Sequence, residues 1–412
     1  MLTEFFDSPL RLQELRESPV APLLEGFAQE LDQVGYLATR VRRHIRAAEH
    51  LIYWSAQEGK PLIALDERSV EDFARHLNRC ECPRYGHTDL RNGARLFINY
   101  LRRADVLTTS ISEQAFEAPT LFASFCSWMR EQRGTCDRTL LGYRPDLCDL
   151  LRSLGEDPSR FDAQSLRKFA LERSQRCGSA TAKRCATAVR MFLRFLIANG
   201  MCVAGLDGSI PVVAHWRLSS LPRYLQSDEV ERVIASCNLS TQVGKRDRAI
   251  LLLLARLGLR AGDLVRLRIS DIDWKEGWIH VVGKGRREVR LPLTQEIGDA
   301  IAVYLEDRRA HIDRDRLFIR VCSPFCAFAS HCAVSVIVKK AMRRAGITCP
   351  SRGAAHVLRH SAASSMLRQG ASLQVIADIL RHRSIETTAI YAKVDVIALR
   401  QVAQPWPEVA AC

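Results

Sequence analysis

Between Leu358 and Tyr391 the chain reads L-R-H-S-A-A-S-S-M-L-R-Q-G-A-S-L-Q-V-I-A-D-I-L-R-H-R-S-I-E-T-T-A-I-Y, and this stretch limits the possible folds more than any other. Val375, Ile376, Ile379 and Leu380 recur at three- and four-residue steps, the pattern of a short buried helix. His356 and Arg359 are three residues apart and share one face if that segment is helical. Small packed helices would then hold His356, His382, an arginine and a tyrosine. Guanidinium and imidazole groups suit a phosphate, and the Tyr391 hydroxyl is a candidate nucleophile. In isolation the same residues also describe a basic helix pair around an ordinary core tyrosine, so the rest of the chain decides.

With 412 residues, 47% hydrophobic and 26% charged, there is material for two or three domains with packed cores. The net charge of +14 and pI of about 9.4 favour a polyanionic partner, most simply nucleic acid. The longest apolar run, Ala249 to Ala255, is far short of the roughly 18–20 residues of a membrane span. The start Met1-Leu2-Thr3-Glu4 is mixed with acid and is no secretory signal. The fourteen cysteines are scattered, which fits reduced thiols in a cytosol better than a disulfide framework. Two groups have metal-ligating side chains: Cys80, Cys82 and His87 with His76 nearby, and Cys322, Cys326, His331 and Cys332. Neither has paired C-x2-C spacing, so the sequence assigns no metal and no cofactor. No paired carboxylates with metal-binding logic stand out, which disfavours a two-metal nuclease or transposase.

Taken in order, residues 1–24 carry Pro9, Pro19 and Pro22 and suggest an extended or partly ordered lead-in. From Gly26 to about Val106 the periodicity is helical, with a helix entered near Asp66 or Ser69. A second segment repeats this plan. Phe161-Asp162-Ala163-Gln164-Ser165 resembles Leu65-Asp66-Glu67-Arg68-Ser69, and Val189 to Leu196 resembles Ala94 to Leu101. The offset is close to one small domain. In this second module Lys183, Arg184 and Arg190, near Ser179 and Thr181, are candidate phosphate contacts, although a solvated helix face would look the same singly. Gly205, Gly208, Pro211 and Pro222 mark a linker.

Beyond the linker, Ser227 reads as an N-cap with acids in the first turn. The strongly apolar helix from Arg246 to Leu257 stops at Gly258, and Arg260 follows at the turn into the next helix. An arginine anchored there can serve as a phosphate clamp. Trp278 to Val282 and Glu288 to Leu293 predict two short strands joined by Gly283-Lys284-Gly285-Arg286-Arg287. Lys284 sits at the tip, where it can reach a substrate, though an ordinary solvated turn lysine has the same setting. Arg286 and Arg287 add base beside it. Helices return over residues 295–310 and 334–345.

These pieces resemble the tyrosine recombinase family: phage-type integrases, the Xer dimer-resolution recombinases and Cre. The likeness runs from about residue 120 to 395. Leu257-Gly258-Leu259-Arg260-Ala261-Gly262-Asp263-Leu264 resembles the first arginine box, and Gly283-Lys284-Gly285 the lysine hairpin. His356-Val357-Leu358-Arg359-His360-Ser361 resembles the H-x-x-R box, and Leu380-Arg381-His382 with Tyr391 nine residues after the histidine resembles the terminal box. Arg381 stands where the family has glycine, and Asp263 where glutamate is commoner. The resemblance implies a mainly α fold with a small β-sheet. Residues 1–115 would be a helical module, an additional DNA-binding domain of SAM-like type. Residues 116–204 would be a core-binding domain, 205–222 a linker and 223–412 a mixed α/β catalytic domain with a C-terminal tail.

The same resemblance implies a site-specific DNA recombinase, an integrase or transposase of a mobile element. Tyr391 would cleave DNA through a 3′-phosphotyrosyl intermediate and rejoin it without ATP, metal or cofactor. Arg260, Arg359 and His382 would stabilise the transition state, Lys284 would protonate the leaving oxygen, and His356 would assist proton transfer, with Asp263 in support. Double-stranded recombination sites are the implied partner, with a homotetramer on DNA, accessory or sister recombinases, no membrane, and a place in the bacterial cytoplasm at the nucleoid. A type IB-like topoisomerase and a catalytically idle architectural DNA-binding protein are the alternatives.

Overall fold

The computed structural model describes residues 2–82, 90–107, 120–213, 221–282, 288–308, 315–350, 353–382, 384–394 and 399–400. Lys284, Arg286, Arg287, His87 and most of the C-terminal tail lie outside them. By contacts the chain forms two compact units, residues 108–219 and a unit combining residues 1–107 with 220–412.

The N-terminal module comprises α1 (Leu2–Phe5), α2 (Pro9–Glu17), α3 (Ala21–Gln33), α4 (Ala38–Gln57), α5 (Glu67–Leu77) and α6 (Arg91–Arg103). The expected extended lead-in is instead helical. Ser8 accepts the Arg11 amide and Pro9 occupies the first turn, a position where proline costs no hydrogen bond. Leu24, Phe27, Ile45, Phe73 and Phe97 form the module's buried core. Ser323 Oγ donates to the Gly35 carbonyl, and Gly35, at φ +82°, has the Phe325 ring against it. These contacts tie the module to the second half of its unit.

The other unit contains α7 (Thr120–Arg133), α8 (Asp137–Leu154), α9 (Ala163–Arg176) and α10 (Ser179–Ala198). Phe125, Leu147, Leu166, Phe192 and Leu196 fill its core. The sequence repeat has a local structural counterpart. Asp66 caps α5 by accepting the Ser69 amide at 2.8 Å, and Asp162 caps α9 by accepting the Ser165 amide at 2.9 Å. A 3-10 turn precedes each cap, and a buried apolar residue, Leu65 or Phe161, links turn to cap.

The remaining part holds α11 (Ser227–Ala235), α12 (Gln242–Leu257), α13 (Ala261–Arg266), β1 (Ile272–Asp273), β2 (Trp278–Val282), β3 (Glu288–Pro292), α14 (Gln295–Glu306), α15 (His331–Arg344), α16 (Ala354–Arg368) and α17 (Leu373–Leu380). The strands form an antiparallel sheet of order β1-β2-β3, with Ile279 opposite Leu291 and Val281 opposite Val289. Ile279 and Val281 are buried while Trp278 and Val282 are exposed, the alternation of a sheet with one face on a core. The cap of α11 is Gln226 rather than Ser227, because Glu229 returns to the Gln226 amide at 2.9 Å and closes a capping box. Helix α12 is continuously apolar from Ala249 to Ala255 and lies in the largest core with Leu264, Tyr304, Phe318, Val338 and Leu358. It ends at Gly258 in the left-handed region, φ +58°. A Cβ there would come within 2.5 Å of Leu380 Cδ2, so a side chain at this position would force the Leu380 side chain to shift.

Candidate active site

Gly258 positions the first arginine. Its turn brings the chain to Arg260, the N-cap of α13. Arg260 Nη2 donates to the Arg381 carbonyl at 3.0 Å. Arg359 lies on α16, buried, and donates through Nη1 to the Gly258 carbonyl and through Nη2 to the Leu380 carbonyl. It bridges the C-termini of α12 and α17, whose carbonyl ends favour a cation. Burial, and then the Arg260 charge, lower the pKa of Arg359, yet a guanidinium stays cationic at neutral pH.

The two departures from the family pattern meet in space. Arg381 takes the left-handed conformation, φ +56°, which is the reason glycine suits this position. Its guanidinium donates to Asp263 Oδ2 at 2.7 Å, with the two side chains only 4% and 2% exposed. Asp263 also receives Arg266 at 2.8 Å and the Arg260 amide at 3.4 Å. The carboxylate therefore acts on Arg260 through its backbone and through Arg381, not through the Arg260 guanidinium. Arg381 Nε and Nη1 are buried with no hydrogen-bond partner among the described residues.

Tyr391 sits in a 3-10 segment, Ala389–Val394, in a small apolar cluster with Ala363, Ile376 and Leu380. It is 1% exposed. Its hydroxyl meets His360 Nδ1 at 2.9 Å. Burial raises the tyrosine pKa, against the opposing charges of Arg359 and Arg260. Burial also holds His360 at about 4, with help from His356 and Arg359. A neutral ring therefore faces a protonated phenol; in the Nε2–H tautomer of His360 the tyrosine donates and Nδ1 accepts. The sequence does not single out His360, although it follows Arg359 directly and lies one helical turn after His356. His356 is on the open side of α16. Desolvation and then Arg359, His331 and Arg260 lower its pKa. His382, just past α17, bonds through Nδ1 to the buried Thr388 Oγ1 at 2.7 Å. It too is held at about 4, by burial and then by Arg359 and Arg260. Its ring lies nearly parallel to that of Tyr391, with centroids 6.5 Å apart.

The candidate DNA-contacting residues of α10 separate by environment. Lys183 is exposed. Arg184 pairs with the buried Asp146 at 3.0 Å, and Arg190 donates to the Ile210 and Pro211 carbonyls at 3.0 and 2.8 Å, anchoring the linker. Arg190 thus has a structural task that sequence alone does not reveal.

Two predictions arise here. Arg359→Lys cannot reach both carbonyls with a planar fork, and it is expected to lower DNA cleavage by about 10²–10³-fold. Single-turnover cleavage on saturating DNA checks this, and an unchanged rate would remove Arg359 from the site. The second concerns acid. His44, His360 and His382 all fall from the ordinary 6.5 to about 4, so the unfolded chain binds more protons than the folded one between those values. Their stabilising contribution is complete above pH 6.5 and is lost as pH falls toward 4. Thermal melts should show a Tm that declines from about pH 6 to about pH 4.5; a flat Tm over that range would contradict it.

A buried tyrosine beside two arginines and neutral His360 and His382 is an arrangement suited to phosphoryl transfer through tyrosine. Residues 223–396 match the phage integrase family. A Sinorhizobium fredii protein provisionally described as an integrase/recombinase, y4rA, is 35% identical over 98% of both chains. The tyrosine recombinase XerD of Listeria innocua is 29% identical, covering 68% of this chain and 96% of its own. A lambda integrase dimer bound to a COC′ core site shares the fold, with TM-score 0.53, 17% identity, and coverage of 70% of this chain and 98% of that one. The chain belongs to the phage integrase family of tyrosine recombinases, enzymes that cleave and rejoin DNA. These relatives do not favour the topoisomerase or idle-protein readings. Among the described residues no helix is long and apolar enough to cross a membrane.

Proposed function

We propose that this protein is the integrase or transposase of a mobile element and that Tyr391 is its nucleophile. The observation that carries the assignment is the Tyr391 hydroxyl held by neutral His360 beside Arg359 and Arg260. Tyr391 Oη attacks the scissile phosphorus as its proton passes toward His360. The bond from phosphorus to the 5′-oxygen breaks, and that oxygen takes a proton, with Lys284 as the candidate donor. The phosphotyrosyl ester conserves the bond, so rejoining needs only a 5′-hydroxyl from another strand. Arg260 and Arg359 offset charge on the phosphorane-like transition state. In the tautomer in which Thr388 donates to Nδ1, His382 carries its proton on Nε2 and can donate it to a phosphate oxygen. His356 stands at the mouth of the site as a further proton carrier. At 1% exposure Tyr391 must move outward to reach a phosphate, so DNA engagement includes a shift of the segment 389–394.

The mobile-element setting is supported by chain organisation. The XerD relative is matched over 96% of its own length yet accounts for only 68% of this chain, whereas y4rA matches 98%. The N-terminal module is thus shared with the integrase/recombinase relative. Residues 1–115 and 116–204 serve as helical DNA-gripping modules in this reading, with Lys183, Arg286 and Arg287 as phosphate contacts. Exchange between two duplexes requires four cleavages and hence four protomers on DNA, in the bacterial cytoplasm. The test is a trapping assay with nicked substrates from the borders of the protein's own gene, run without metal or ATP. A detergent-stable protein–DNA adduct supports the reading. Cleavage that needs added magnesium and leaves no adduct would overturn it.

A further inference from the structure

The N-terminal module brings together four side chains that the catalytic site does not use. His50 comes from α4, His76 from the last turn of α5, and Cys80 and Cys82 from the chain just after α5. Their ligating atoms all lie within 4.8 Å of one another. His50 Nε2 is 3.4 Å from Cys80 Sγ, and His76 Nε2 is 3.3 Å from Cys82 Sγ. Around a tetrahedral zinc ion, bonds of about 2.3 Å to sulfur and 2.0–2.1 Å to nitrogen place neighbouring nitrogen and sulfur atoms roughly 3.5 Å apart. The two observed separations fit that edge.

From this geometry we infer that His50, His76, Cys80 and Cys82 form a structural zinc site of two nitrogens and two sulfurs. Three further observations support a closed, permanent site. His50 and Cys80 are buried. Phe73 stands edge-on to His50 with ring centroids 5.0 Å apart, and Trp54 covers His76 at 6.1 Å, so aromatic rings wall off two sides. The Cys82 amide points at Cys80 Sγ at 3.4 Å, an N–H placed to stabilise a thiolate. Charge also balances. Zinc displaces one proton from each thiol, and two thiolates with two neutral imidazoles leave the site without net charge, as a buried position requires. Sulfur and imidazole donors select zinc over magnesium or calcium. The ion would fasten the segment after α5 onto α4. Sequence spacing offered Cys80, Cys82 and His76, but His50, thirty residues before Cys80, joins them only through the fold. The second cysteine group, Cys322, Cys326, His331 and Cys332, forms no such cluster among the described residues.

The inference stands apart from the recombinase reading, and its test needs no DNA. Full-length protein, purified without chelator, is assayed for metal by mass spectrometry. One zinc ion per chain is expected. The metal is then removed and the protein titrated with cobalt(II), which should give the strong visible absorption of a tetrahedral ion and a thiolate-to-metal band saturating at one equivalent. Cys80→Ser/Cys82→Ser should lose both, and Cys322→Ser/Cys326→Ser should keep both. Should the first variant fail to fold, wild-type stoichiometry and the cobalt spectrum still decide. Protein that carries no zinc, together with a weak octahedral cobalt spectrum, would overturn the site.

Discussion

Tyr391→Phe is expected to bind DNA as the wild type does and to form no covalent adduct. Removing the attacking oxygen eliminates the first step, and losses on the order of 10⁴–10⁶-fold follow when a nucleophile is deleted. Phenylalanine keeps the ring that packs against Ala363, Ile376 and Leu380. Only the hydrogen bond to His360 disappears, a change of about 1 kcal/mol. A normal melt and normal gel shift combined with no adduct would therefore locate the defect in chemistry. An adduct at wild-type level would mean another residue attacks.

Asp263→Ala carries the largest expected stability cost. It leaves Arg381 in a nearly closed site without its carboxylate, and breaking such a pair from one side costs about 3–5 kcal/mol. Arg266, more than half exposed, loses the same partner, but an open pair contributes only about 0–1 kcal/mol. Cleavage should fall as well, since Arg260 is steadied by the Arg381 carbonyl. Arg381→Gly removes the uncompensated charge and suits the left-handed backbone at φ +56°. The double variant should therefore recover most of what Asp263→Ala loses. Denaturant titration of all four proteins measures the coupling, and penalties that simply add would show that the two departures from the family pattern do not compensate each other.

Contiguous motifs were legible because their residues are neighbours on one helix or one turn. Arg260, Arg359, His382 and Tyr391 fall in such motifs, and the periodicities of α12 and α17 located the helices that hold them. The hairpin strands were visible from alternation, whereas β1, two residues long, is too short to show a period. Features built from distant residues were not visible. Asp263 and Arg381 are 118 positions apart, so two apparent irregularities read separately although they form one ion pair. Sequence does not distinguish His360 from His356 as the tyrosine's partner, because the choice depends on where the 3-10 segment returns to α16. The two carbonyls that Arg190 binds come from the path of the linker, which its place in the sequence does not show. Ser227 lost the cap to Gln226 because a glutamate three residues later closes a box around the latter.

The central claim is that Tyr391 becomes covalently attached to DNA. Trypsin cuts after Arg383 and Lys393, giving the peptide Ser384–Lys393, in which Tyr391 is the single tyrosine. We would trap the wild-type protein on a nicked substrate, digest protein and DNA, and fragment this peptide by mass spectrometry. A nucleotide carried on Tyr391 through its 3′-phosphate is the predicted result. A nucleotide on any other residue, or joined through a 5′-phosphate, would contradict the account.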